Sequence, residues 1–80
     1  MRKQKVRYLK MEHEVKGIVG RRPTCQGFEY LIDWWTQDGS VERTAELASD
    51  LESSDPDFWL PLLDRFDLRF PTSREVIGEW

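Results

Sequence analysis

Between Phe28 and Trp35 the chain alternates so regularly that an extended strand is the one backbone geometry that suits it. Phe28, Tyr30, Ile32 and Trp34 fall on one side at period two, and Glu29, Leu31, Asp33 and Trp35 fall on the other. The first set is wholly apolar or aromatic and therefore faces a core. Leu31 and Trp35 mean that the second side is partly covered as well. A strand with two apolar faces needs partners above, below and beside it, and the flanking sequence supplies them.

On the N-terminal side, Glu14-Val15-Lys16-Gly17-Ile18-Val19-Gly20-Arg21-Arg22 is rich in β-branched residues and reads as a strand with a bulge at Gly17. Pro23 is expected to end it, leaving Pro23–Gly27 as a turn. On the C-terminal side, Gln37-Asp38-Gly39 is a turn signal, and Ser40–Arg43 returns as a third antiparallel strand. Thr44–Leu51 is ambiguous: Ala45, Ala48 and Leu51 fit helical spacing, but the piece is short for a helix. Further on, Phe58-Trp59-Leu60-Pro61-Leu62-Leu63-Asp64-Arg65-Phe66 carries an i, i+3, i+4, i+7 apolar stripe, with Asp57 as the expected N-cap and Pro61 in the first turn. Pro71 marks the far limit, and Thr72–Trp80 reads as a tail. Three short strands cannot hide an apolar face alone, so the late helix must roof them. The fold class is α+β: a small, curved, three-stranded antiparallel sheet packed against a C-terminal helix.

Eighty residues make one domain. Leu, Ile, Val and Phe supply 20 of them, enough for a thin core. No apolar run is long enough to span a membrane. Cys25 is the single cysteine, so neither an internal disulfide nor a cysteine zinc site can form, which favours a reducing compartment. The net charge of −3 divides unevenly: residues 1–22 carry eight Lys/Arg against two Glu, whereas residues 23–80 carry four Arg against thirteen Asp/Glu. Residues 1–11 form a basic arm or edge strand, in which Arg2, Lys3, Lys5, Arg7 and Lys10 are candidates for phosphate contact. The acidic remainder argues against nucleic acid as the main ligand.

The chemistry of catalysis is thinly represented. His13 is the single histidine, so no histidine pair or triad can form within the chain. Cys25, Ser53 and Ser54 have no neighbouring base in sequence. These residues point away from an enzyme and from any cofactor or metal, and toward a module that grips another polypeptide.

The run Glu12-His13-Glu14-Val15, Ile18-Val19, Arg21-Arg22 and Glu29-Tyr30-Leu31-Ile32-Asp33-Trp34 resembles a chromodomain, with the spacing from Glu12 to Trp34 free of gaps. The likeness extends over residues 12–67, more loosely after Trp34, and leaves 68–80 as a tail. It implies a sheet related to SH3-like barrels and a nuclear, chromatin-associated role. It also implies an extended ligand such as a histone H3 tail, added as a strand. In that family three aromatic positions make a methyl-lysine cage by cation–π attraction. They correspond here to His13, Trp34 and the vicinity of Gln37, of which only Trp34 is aromatic; Trp35 or Tyr8 would be the substitutes, with Glu14 and the 29–33 strand near the groove. The shadow version of the family lacks the cage and dimerises through its C-terminal helix, and then receives a partner peptide. Phe58, Trp59, Leu62, Leu63 and Phe66 would form that contact. A third reading is a small nucleic-acid-binding barrel, as in a retroelement integrase, using the basic arm.

Overall fold

The computed structural model describes residues 14–71 and 74–80. Its elements run β1 (Glu14–Thr24), β2 (Gly27–Trp35), β3 (Val41–Leu47), α1 (Ala48–Ser54), α2 (Pro56–Arg69) and β4 (Ile77–Gly78). The strands form one antiparallel sheet in the order β3-β2-β1-β4. The α+β class and the roofing helix are present, but the sheet has four strands where the sequence suggested three. The fourth is made by Ile77-Gly78, within the segment expected to be a tail. The basic arm, with Arg2, Lys3, Lys5, Arg7 and Lys10, lies outside the described residues, as does His13.

Pairing of β1 with β2 is interrupted twice, between Val15 and Gly17 and again between Ile18 and Gly20. Lys16 and Val19 are the extra residues, each directly before a glycine. The two bulges cancel in parity while moving Ile18 onto the core face, opposite Ile32, in place of Val19. Pro23 does not stop the strand. It pairs with Phe28, and the hairpin closes instead at Cys25-Gln26. There the Thr24 hydroxyl donates to the Gly27 carbonyl at 2.6 Å. β3 runs past Arg43 to Leu47, placing Glu46 opposite Tyr30, where it is buried.

The core is the predicted β2 face, Tyr30, Ile32 and Trp34, closed by Leu51 of α1 and by Trp59, Leu63 and Phe66 of α2. Trp34 and Trp59 meet edge to face at 5.9 Å, and Tyr30 and Phe66 do so at 6.0 Å. Asp55 rather than Asp57 caps α2. Its carboxylate accepts from the Phe58 amide at 3.4 Å, and Pro56 takes the first helical position. The helix therefore begins earlier than expected and places Pro61 in its second turn, where the missing N–H removes a ladder bond to Asp57. Asp55 also closes α1, since its amide donates to the Leu51 carbonyl at 3.2 Å.

Arg21 lies on the core side of β1 opposite Tyr30, with 2% of its surface exposed. Its guanidinium donates to Asp67 at 2.7 Å and to the Phe70 carbonyl at 2.5 Å. It stacks over Phe28 at 4.9 Å and Phe66 at 5.7 Å. The Tyr30 hydroxyl donates to the same carboxylate at 2.9 Å. One aspartate thus ties the end of α2 to both long strands.

Removing that carboxylate leaves a buried guanidinium with one partner fewer. Asp67→Ala is expected to cost about 3 kcal/mol in urea unfolding, the low end for a broken buried pair because Asp67 itself is partly solvated. Restoring most of that stability through Arg21→Met in the same chain would identify the stranded charge as the cause. Burial, and then the Asp67 carboxylate, push the Tyr30 phenol well above its usual range. The unfolded chain releases this proton near pH 10 while the folded chain holds it. Stability from Tyr30 is therefore intact below about pH 10 and falls as pH rises beyond it. Unfolding midpoints measured from pH 9 to 11 should decline less steeply in Tyr30→Phe.

Candidate functional site

Among the described residues, β1 is paired on its outer side only at Gly20 and Arg21, where Gly78 and Ile77 lie opposite. Among the described residues, Glu14 to Val19 have no strand on that side. The backbone groups along such an edge are a template for another chain. Where β1 is unpaired, Ile18 turns its side chain toward α2 and forms one wall of a groove of about 450 Å³. Leu62, Phe66 and Leu68 make the rest of its apolar lining, and Arg65 and Arg69 stand over it.

The helix sorts its charges to build this groove. Leu62, Arg65 and Arg69 follow one another at helical spacing on the flank turned to Ile18. Asp67 is drawn instead to Arg21 and Tyr30. Among the described residues, no acidic side chain lines the groove. Neither Arg65 nor Arg69 has an ion-pair partner among the described residues, although Arg69 lies 5.5 Å from the Phe70 ring. Sequence reasoning did not single out these arginines. Their spacing of one helical turn on an acid-free flank was the available signal.

The expected cage is not assembled around Trp34. That side chain is 1% exposed, its Nε1 donates to the Thr44 hydroxyl at 2.7 Å, and its ring packs on Trp59. A ligand ammonium therefore cannot reach its face. Gln37 is exposed in the turn between β2 and β3. In that turn Asp38 accepts from Thr36 and Ser40, contacts that hold its carboxyl down at about 2. Glu14 is exposed opposite Trp35, on the sheet face away from the core. Trp35 is 41% exposed, and the Lys16 ammonium sits 5.5 Å from its ring centroid. One of the aromatics proposed for the groove is thus already covered by a cation of this chain.

The helix contact also divides. Trp59, Leu63 and Phe66 are spent in the core, Leu62 is half-buried, and Phe58 and Leu60 are 46% and 41% exposed. Leu68, one turn beyond Asp64, is 80% exposed. The apolar surface left outside is therefore set by Phe58, Leu60 and Leu68 rather than by the full stripe read from sequence.

The C-terminal segment straps the outer face of the sheet. The Trp80 Nε1 donates to the Ile77 carbonyl at 3.0 Å, and the Arg22 guanidinium lies 4.1 Å from the Trp80 ring. Arg43 holds Asp33 at 2.6 and 2.9 Å and reaches Glu79 at 3.1 Å. The Arg43 hydrogen bonds keep the Asp33 carboxyl below its usual range. A side chain on Gly20 would meet the Ile77 carbonyl and the Trp80 indole at 2.8 Å, so the strap depends on bare backbone there. A second hollow of about 310 Å³ opens between the β1–β2 hairpin and Arg74, lined also by Pro23, Thr24, Gly27 and Phe28.

Among the described residues there is no group of three or more His, Cys, Asp or Glu side chains placed to hold a metal ion. No described helix is long and apolar enough to cross a membrane. Compared with known proteins, the chain matches no family model, no curated protein and no solved structure.

Gly78 has a φ of +98°, and a Cβ there would lie 2.0 Å from the Val19 carbonyl oxygen. Gly78→Ala is therefore expected to detach the strap while leaving the core folded. Amide exchange should accelerate at whichever of Gly20 and Arg21 points its N–H toward β4, and the emission of Trp80 should shift to the red. Unchanged exchange at both amides would show that the strap tolerates the methyl group.

Proposed function

We propose that this chain is a chromodomain-like, non-catalytic interaction module that takes an extended polypeptide as an added strand on the Glu14–Val19 edge of β1. The observation that carries the reading is that a strand edge left unpaired by every described residue coincides with an apolar groove at Ile18. Strand addition draws affinity from backbone hydrogen bonds and selectivity from pockets that receive alternate side chains. Both parts are supplied here by adjoining elements. The chromatin setting and a histone-tail ligand rest on the sequence resemblance alone.

Burial of Trp34 changes what this reading predicts. A cage needs several open aromatic faces around one ammonium, and Trp35 offers a single face that Lys16 already covers. Binding should therefore be indifferent to lysine methylation. Dimerisation through α2 is a second reading, favoured by exposed Phe58, Leu60 and Leu68.

Extended peptides, including histone tails with unmodified and trimethylated lysine, can be titrated into isotope-labelled protein. A bound peptide should shift and protect amides of Glu14–Val19 and move the Leu62 and Leu68 methyl signals. Methylation should change affinity less than about threefold, the scale of one exposed cation–π contact. A strong methyl-lysine preference, or shifts confined to the β3 edge, would reject this reading.

A further inference from the structure

We infer that the groove beside β1 selects an acidic, apolar segment: an extended stretch carrying large aliphatic or aromatic side chains together with Asp or Glu. The inference rests on the strand-addition reading and specifies its partner. Its carrying observation is the local charge of the groove, which is opposite to that of the chain as a whole.

Every described residue that lines the groove is either apolar or cationic. Ile18, Leu62, Phe66 and Leu68 form the floor, and Arg65 and Arg69 stand above it one helical turn apart. Two acids of the neighbouring elements are directed elsewhere. Asp67 is engaged by Arg21 and Tyr30, and Glu14 sits on the sheet face opposite the groove with Trp35. A carboxylate arriving on an added strand would meet two guanidinium groups that no described residue neutralises. Arginine suits this role because its planar fork accepts a carboxylate through two parallel hydrogen bonds.

Charge also discriminates among occupants. A lysine-rich tail would place ammonium groups beside Arg65 and Arg69, and like charges brought together across an interface are a strong source of rejection. The net acidity of residues 23–80 is carried on other surfaces. It can favour the approach of a basic molecule in general without describing what fits at this edge.

The experiment uses the full chain and three fluorescent peptides roughly six residues long, the usual length of a strand. One alternates Leu or Ile with Asp or Glu, one replaces the acids by Lys, and one keeps the acids but replaces the aliphatics by Ser. The first should bind on the order of tenfold more tightly than either other peptide, weaken as salt rises, and protect the Glu14–Val19 amides. Both arginines are exposed, so Arg65→Glu with Arg69→Glu should stay folded and reverse the preference toward the Lys peptide. Arg65→Gln with Arg69→Gln should remove the preference without reversing it. Equal or tighter binding of the Lys peptide, with the same amides protected, would overturn the acidic specificity and leave strand addition standing. Failure of every peptide to protect those amides would remove both. Protection that grows with protein concentration in the absence of peptide would assign the edge to a second copy of the chain and also overturn the inference.

Discussion

A guanidinium group inside the core organises this small domain. Arg21 enters from β1, and its partners come from the last turn of the roofing helix and the residue beyond it. A charge so deeply removed from water is stable only with its hydrogen bonds in place, which makes the position of the helix end nearly obligatory. Hydrophobic contact alone would tolerate a helix that slides along β2. A fixed fork reaching both Asp67 and the Phe70 carbonyl does not. The tyrosine that shares Asp67 extends this constraint to the central strand.

Once the end of α2 is fixed, the flank facing β1 is fixed with it, and so is the groove. The two bulges contribute by exchanging Val19 for Ile18 on the inner face, so that the side chain meeting α2 comes from the stretch of β1 without an outer neighbour. The Ile77-Gly78 strand then limits that stretch at its far end. Burying an arginine and inserting two extra residues look like separate local irregularities. Together they place an open backbone edge beside an apolar floor and a cationic rim.

The central strand was plain in the sequence because both of its faces obey period two, and each element with comparable regularity was legible too. Irregular elements were not. A proline normally ends a strand, but Pro23 sits close to the hairpin, where a missing donor matters least. Ile77-Gly78 has no local signature because two residues become a strand only when a neighbour is brought to them. The start of α2 was available in the Asp55-Pro56 pair, since proline favours the first helical position, yet Asp57 competed as an equally good capping residue. The candidate site was least visible. Arg21 shares the parity of Val15, but two adjacent arginines in a basic stretch carry no local mark of burial. The groove arginines are separated from Ile18 by most of the chain, and only the fold joins them.

Asp55 closes one helix with its amide and opens the next with its carbonyl and carboxylate, so α1 and α2 meet at an elbow with no spare residue. Leu51 and Trp59 flank this elbow, and both are core residues. An insertion there would turn α2 about its axis and carry the Trp59 side chain out of register with Trp34. The hairpin tip at Cys25-Gln26 and the turn around Asp38 impose no comparable phase on the strands they connect. Length variation among descendants of this chain should therefore accumulate at those two loops and spare the helical junction.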